Sequence, residues 1–391
     1  MQRGEPVFSL ALIGAGPAGL SAVFTALQNG ISPEQICLCE RADTLLGGWR
    51  HTSVPIIERM DPSVTWQSAQ GGLNDHSWLE ALDTESSAVF DGGSLVALRK
   101  TLLEQLNRAG VAIRTGAKAL EIGRDYNNDF RAWFESGVPI TAKRLIIATG
   151  GGKNHGYRWA EEKSLSIQPF LPAGINLRLK ESRKRTWGSL PPTKVQVGLA
   201  SMDDRAEGSI EGPHPWLGGT ALTRLSLCAP AALAAANYKG SIQINWLCRG
   251  QEGVSSKELM QFQEQAGRRT LEEYPWTGLE KTVWKTLLQR ARAEPSALWR
   301  SLSQRELQNL ASQFTRAQFK FEGYRLDRIG GLAAGGLGLE ELVPGTFESK
   351  REAGLFWIGE LVDLHASDPN ANLWLAHLAG KNAADAVAHT L

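Results

Sequence analysis

Three glycines and one acid near the start of this sequence have the types and spacing that hold a nucleotide. Gly14-x-Gly16-x-x-Gly19 follows the apolar run Val7–Ile13 and opens a stretch in which Leu20, Val23 and Leu27 recur at helical spacing. A first glycine permits a tight turn. A second lets the backbone approach a pyrophosphate, whose charge is drawn to the helix N-terminus, and a third lets helix and strand pack closely. Glu40 lies 21 residues beyond Gly19, at the end of the short apolar run Ile36–Cys39. There it can accept hydrogen bonds from a ribose diol. Its carboxylate would repel a 2′-phosphate, which disfavours NADP and leaves FAD and NAD.

Two later segments favour FAD. Ala148-Thr149-Gly150 ends a buried strand that follows a small antiparallel layer at 117–122 and 130–134. Gly359-Glu360 ends the last apolar strand and leads to a helix expected to begin near Asn372. The N-terminus of such a helix would stabilise negative charge on a reduced flavin. His214 is a weak candidate acid or base in a loop. His51, His365 and His377 show no metal-ligand spacing, so no metal is expected. Cys37 and Cys39 fall on one face of a buried strand and read as core.

These residues must be positioned by an α/β architecture. The strand, glycine turn, helix, strand and acid at the start demand a parallel sheet covered on both faces. Residues 41–90 lack periodicity and read as a functional loop region. The register changes near Gly152, where short strands broken by Pro and Gly begin; residues 255–315 are helical, and strand alternation returns at Phe319-Lys320-Phe321. The expected organisation is a discontinuous Rossmann-type nucleotide domain at 1–152 and 324–391. Inserted into it are a β-barrel-like, β-rich substrate domain at 153–254 and 316–323 and a small helical subdomain at 255–315.

Composition narrows the function. The chain has 391 residues, with 42 Lys+Arg against 41 Asp+Glu. A net charge of +1 lacks the basic excess of a general polyanion binder, so no nucleic-acid partner is expected. The run Lys180 to Arg185 contains Glu181 and reads as a solvated loop. No apolar run reaches the ~20 residues of a membrane-spanning helix, and the start has no secretory leader pattern. Four cysteines without a Cys-x-x-Cys pair exclude a zinc ribbon and a thiol–disulfide flavoenzyme, and fit a cytoplasmic protein with reduced thiols. Thirteen Trp against five Tyr points first to core packing and second to an aromatic substrate. Trp49, Trp216 and Trp374 would serve that second use.

The sequence also resembles the BaiN-like bacterial flavoproteins. The resemblance is carried by Gly14-Ala-Gly-Pro-Ala-Gly-Leu20, Leu45-Leu-Gly-Gly-Trp-Arg50, Leu145-Ile-Ile-Ala-Thr-Gly-Gly151, Gly212-Pro-His-Pro-Trp-Leu-Gly-Gly-Thr-Ala-Leu222, Thr346-Phe-Glu-Ser-Lys350 and Gly354-Leu-Phe-Trp-Ile-Gly-Glu-Leu-Val-Asp363. It implies a Rossmann-type FAD domain with a barrel-like insert and a helical subdomain. It places FAD contacts at Gly14, Gly16, Gly19, Glu40, Arg50, Thr149, Gly150, Gly359, Glu360 and Asn372. Ala18, Arg41 and Gly48 join that candidate set. The flavin-side segments depart from the family pattern. His51-Thr52 stand where the family usually has Cys-Asn, and Pro369-Asn-Ala371 stand where it has Gly-Gly-Tyr. The implied activity is FAD-dependent oxidoreduction, with a hydride passing between flavin and a small organic substrate, an aromatic one among the candidates, and with NAD(P)H as a candidate reductant. The alternatives are a flavin monooxygenase and a flavoprotein without turnover that acts as a binding partner.

Overall fold

A computed structural model describes residues 6–48, 53–57, 66–68, 71–72, 90–152, 154–180, 188–203, 205–249, 253–276, 279–326 and 332–391. Contacts divide the chain into two compact units, 1–173 with 328–391 and 174–327.

The first unit is built on β1 (Val7–Ile13), α1 (Pro17–Gln28), β2 (Ile36–Cys39), α2 (Leu95–Ala109), β3 (Ala112–Arg114), β4 (Ala119–Arg124), β5 (Phe130–Phe134), β6 (Ile140–Ile147), α3 (His155–Glu162), β7 (Ile167–Pro172), β8 (Ala333–Leu337), β9 (Leu355–Trp357) and α4 (Pro369–Thr390). Strands β3, β2, β1 and β6 lie side by side in that order, all parallel. All four residues of β2 are buried, as a parallel strand covered on both faces requires. The edge of β6 away from β1 is divided between two strands of the same sheet. Its first half pairs antiparallel with β5 through Ile140↔Ala132, and its second half pairs parallel with β9 through Ile147↔Trp357. The small antiparallel layer expected from sequence is therefore a branch of the main sheet. α4 closes over α1 at very short range. A Cβ on Gly380 would lie 2.2 Å from the Ala18 carbonyl oxygen, and the Ser21 hydroxyl donates to the His377 carbonyl at 2.8 Å.

The second unit is a six-stranded antiparallel sheet, Arg205–Pro213, Ser189–Leu199, Lys239–Asn245, Ala317–Leu326, Ile175–Leu179 and Trp216–Leu217 in spatial order. Its first and last strands meet. Glu211 and Gly218 exchange backbone hydrogen bonds of 3.0 and 2.9 Å, and this bridge closes the sheet into a barrel. Leu177, Val195, Val197, Ile242, Ile244 and Phe319 are buried from alternating strand positions. The helices Ser256–Ala266, Lys281–Ala291 and Gln304–Arg316 join the same core through Phe262, Trp284 and Phe314, with Trp299 added from the 3-10 turn Trp299–Ser301.

The observed edges differ from those read off the sequence. The first unit runs on to Ala173 and resumes at Arg328. The cause is β7, which pairs antiparallel with β8 through Ile167↔Leu337 and Pro172↔Ala333. The β-rich and helical segments of 174–327 share one core rather than standing as two bodies. No helix among the described residues is long and apolar enough to cross a membrane.

Candidate functional site

The glycines of the first turn differ in what their missing side chains would meet. Gly14 has φ +111°, and a Cβ on it would lie 2.2 Å from the Ala148 carbonyl oxygen at the exit of β6. A Cβ on Gly19 would lie 2.0 Å from the Gly14 carbonyl oxygen. Both are required by packing within the protein. Gly16 is not. It has an ordinary extended conformation, φ −77° and ψ −176°, and no atom of the described residues lies within 4 Å of where its Cβ would be.

Gly16 is also the N-cap of α1, and among the described residues no side chain caps that helix. The first turn carries no acidic residue. Pro17 has no N–H to satisfy, and the N–H groups of Ala18 and Gly19 have no helical carbonyl a turn earlier. Leu20 is the first to find one, donating to Gly16 O at 2.9 Å. Most other long helices are closed by a side chain: Asn154 for α3, Asp368 for α4, and Ser255, Glu280 and Ser303 in the second unit. Among the described residues α1 therefore has unpaired donors at its N-terminus, where the positive end of its dipole also lies, which suits a pyrophosphate.

Glu40 is held beside this turn. Its Oε2 accepts from Ala15 N at 2.7 Å and its Oε1 from Ala42 N at 2.9 Å. The carboxylate thus fastens the glycine turn to the chain after β2, and its remaining lone pairs are what a ribose diol would meet. Leu46 N donates to Ala15 O at 2.9 Å, and Arg99 Nη2 donates to Leu46 O at 2.8 Å. The segment 41–48 is thereby tied across the turn. Arg41 and Gly48 are exposed, and Gly48 has no neighbour within 4 Å of a Cβ. Arg50, Trp49 and His51 lie outside the described residues.

Across the sheet, the exit of β6 supplies a second open glycine. Gly150 has φ +77° with nothing within 4 Å of its Cβ direction. Asn154, which the sequence reading missed, organises this loop. Its Nδ2 donates to Gly150 O at 2.7 Å, and its Oδ1 accepts from the Thr149 hydroxyl at 3.1 Å and from Tyr157 N at 3.3 Å. An Asn one residue before a helix start is a readable cap signal.

Glu360 follows β9 in the 3-10 turn Gly359–Leu361. A Cβ on Gly151 would lie 3.2 Å from the Glu360 Cβ and 3.2 Å from that of Ala333, so these residues crowd one another. Enclosure pushes the Glu360 carboxyl up to about 7, opposed by a hydrogen bond from the Gly151 N–H. A Cβ on Gly359 would touch Ala18 at 3.1 Å, which brings this turn against the start of α1. Gly14, Gly16, Gly19, Ala18, Thr149, Gly150, Gly359 and Glu360 therefore gather at the carboxyl ends of β1, β6 and β9, where open α/β sheets bind ligands.

Asn372 has a different use from the one its sequence position suggested. It is buried, its Oδ1 accepts from Ala366 N at 2.8 Å, and its Nδ2 donates to Ala366 O and Asp368 O at 2.8 and 2.9 Å. All three bonds hold protein backbone. α4 begins at Pro369 rather than near Asn372, and its N-terminus is closed by Asp368, whose Oδ1 accepts from Asn370 N at 2.8 Å and Ala371 N at 3.3 Å. That helix end already has a carboxylate and is not a free donor for a flavin ring. Trp374 is 1% exposed and belongs to the first unit's core, so it lines no open cavity. Trp216 is partly buried in the barrel, with Arg325 4.6 Å above its ring. Cys37 and Cys39 are buried free thiols 3.8 Å apart. His214 is half-buried in the second unit, its backbone N–H donating to Gly188 O at 3.2 Å. No cluster of metal-binding side chains occurs among the described residues.

Comparison with known proteins bears first on the second unit. Residues 214–326 match the family model of the HI0933-like protein barrel and H2TH domain. The second unit is similar to that barrel. The match agrees with the closed six-stranded sheet and the helices that follow it. A curated relative, ribosomal RNA dihydrouridine synthase of Escherichia coli (strain K12), is 21% identical over 278 residues, covering 67% of this chain. The chain spans 64% of that relative's length. Among solved structures, thioredoxin reductase of Lactococcus lactis aligns at 17% identity and a TM-score of 0.25, covering 38% of this chain and 37% of that one. Thioredoxin reductase of T. acidophilum aligns at 20% and 0.25, covering 39% and 38%. L-proline dehydrogenase of P. horikoshii aligns at 18% and 0.25, covering 44% and 25%. Likeness at that level carries no chemistry over to this chain.

Proposed function

We propose that the chain binds FAD at the Gly14–Gly19 turn and works as a flavin-dependent oxidoreductase. The observation that supports this most is the uncapped N-terminus of α1, open at Gly16 and backed by glycines that the protein itself needs. A pyrophosphate fits there because it would take the free N–H groups and the helix dipole, and Glu40 beside the turn keeps acceptor capacity for a ribose. FAD, when bound, supplies a carrier of two electrons and a hydride. Gly150 leaves room beside the β6 exit, and Glu360 is a carboxyl that holds its proton near neutrality at its own side-chain oxygen.

The reaction class is reduction or oxidation at a C=C or C–N bond of an organic substrate, with NAD(P)H as a candidate reductant. The chain's overall charge supports a free small molecule. The curated relative supports a second reading, in which the unsaturated bond is that of a uracil ring in RNA: a dihydrouridine is a uridine whose 5,6 double bond has gained two hydrogens. Both readings require FAD. The test is the visible spectrum of the purified protein and the mass of its released cofactor, followed by anaerobic reduction with NADH and NADPH. Bound FAD reduced by either nucleotide supports the oxidoreductase. Bound FAD that neither reduces supports a flavoprotein without turnover, and a colourless protein that takes up no FAD ends the proposal.

A further inference from the structure

The chain's neutrality conceals a separation of charge. Residues 174–327 contain 22 Lys+Arg against 15 Asp+Glu, and the rest of the chain 20 against 26. The second unit is thus basic by seven charges and the first acidic by six. Charge asymmetry between parts of a chain, unlike the total, is a signature of a polyanion partner.

The barrel gives that charge a face. On Ile175–Leu179, the side chains of Ile175, Leu177 and Leu179 are buried, so Asn176, Arg178 and the following Lys180 alternate to the outside. On the neighbouring Ala317–Leu326, Phe319 and Phe321 are buried and Lys320 and Arg325 are exposed. The register places Arg325 opposite Asn176, and Arg178 opposite Trp216. Lys180 N donates to Lys320 O at 2.9 Å, which sets those two cations side by side on adjacent strands. Lys239 is exposed opposite Glu322 on the next strand. Over these four strands and Lys180, five cations stand against one described acid, Glu322, which lies 3.7 Å from Lys180. Trp216 sits among them beneath the Arg325 guanidinium at 4.6 Å.

We infer that this outer face of the barrel docks RNA, through its phosphates at Arg178, Lys180, Lys320 and Arg325 and through a base stacked at Trp216. A row of cations interleaved with an aromatic ring fits a single strand, because phosphates recur along it and every base offers a π-face. A lipid surface would use the cations alone. The inference deepens the RNA reading of the proposed function. Its test reads binding, so RNA affinity and FAD content succeed or fail separately.

The measurement is fluorescence anisotropy of a labelled, mixed-sequence single-stranded RNA oligonucleotide titrated with the full chain as purified, across a series of KCl concentrations. The wild type should bind, with log affinity falling linearly against log salt. The double variant Arg178→Glu/Lys320→Glu should lose about tenfold or more in affinity and flatten the salt slope by about 1.4, at roughly 0.7 per single-strand phosphate. Trp216→Ala should weaken binding while leaving the salt slope unchanged. Lys100→Glu, on α2 of the acidic unit, should leave both unchanged. Far-ultraviolet circular dichroism confirms folding, and Arg178→Gln/Lys320→Gln repeats the test if the reversal misfolds. The inference falls if the wild type does not bind RNA, or if the double variants keep wild-type affinity and slope. It also falls if vesicles of phosphatidylglycerol bind to this face while RNA does not.

Discussion

Replacing Gly16 with valine separates the role of the glycine turn in folding from its role in holding a ligand. Gly16 has a backbone conformation that valine adopts without strain, and its Cβ would meet no atom of the described residues within 4 Å. The folding cost is limited to exchanging glycine, an acceptable N-cap, for valine, a disfavoured one, about 0.5–1 kcal/mol. For a unit of this size, that lowers Tm by roughly 1–4 °C. The ligand cost is much larger. A branched side chain at Gly16 fills the space in which the pyrophosphate would approach the N–H groups of Ala18 and Gly19. Losing two charge-assisted hydrogen bonds, at about 1.5–3 kcal/mol each, raises Kd by roughly 10²–10⁴. The assay is the ratio of flavin to protein absorbance after purification and reconstitution, with melting curves run on FAD-stripped samples. Stripping is needed because a bound ligand raises Tm by mass action. The expected result is a folded, colourless variant. A Gly16→Val protein with a full complement of FAD would refute the phosphate-loop reading. One that unfolds would refute the steric argument instead. Gly19→Ala is the internal contrast, since its new Cβ would lie 2.0 Å from a backbone oxygen and the fold itself should suffer.

Three further outcomes are expected. Glu40→Ala should lose both stability and FAD, by about 1–3 kcal/mol in urea unfolding of the stripped protein, because it strips acceptors from the N–H groups of Ala15 and Ala42; unchanged stability would show that the carboxylate is not holding the turn. Asp368→Ala removes the cap of α4 and should cost about 0.5–2 kcal/mol without changing FAD affinity, whereas weaker FAD binding at equal stability would mean that this helix end faces the cofactor after all. Glu360 has a carboxyl raised from 4.5 to about 7, so the folded state holds a proton that the unfolded state has released between those values. Its contribution is fully present below about pH 4.5 and is lost as pH rises through 7. Glu360→Gln should flatten the stability profile of the stripped protein in that window, and an unaltered profile would place the titration elsewhere.

Much of the first unit is legible in sequence because its signals are local. The buried run of β1, the glycine turn, the helical repeat of α1 and the acid after β2 are set by chain stereochemistry within one strand–turn–helix–strand, and the structure places them accordingly. The exits at Thr149-Gly150 and Gly359-Glu360 could be found the same way, as glycines that end apolar runs. Asn372 shows where local reading stops. Its type and position suggested a ligand contact, but which groups an amide bonds is decided by the backbone folded around it, here Ala366 and Asp368.

The sequence by itself determined the strand, turn, helix and strand at the start of the chain, where the glycines must be, and that an acid follows β2. Those follow from side-chain periodicity and from φ limits, which act over a few residues. The helices His155–Glu162, Thr220–Cys228 and Pro230–Ala235, by contrast, stand in a stretch that reads as β-rich. Only the tertiary structure decided why each glycine is needed. Gly14 and Gly19 serve packing contacts with the β6 exit and within the turn, while Gly16 and Gly150 face open space, a difference set by neighbours far away in sequence. It likewise decided that β7 belongs with β8, that the barrel closes through Glu211 and Gly218, and that cations scattered over 174–327 share one outer face. A total charge sums over the whole chain, but a partner meets only the surface that folding assembles.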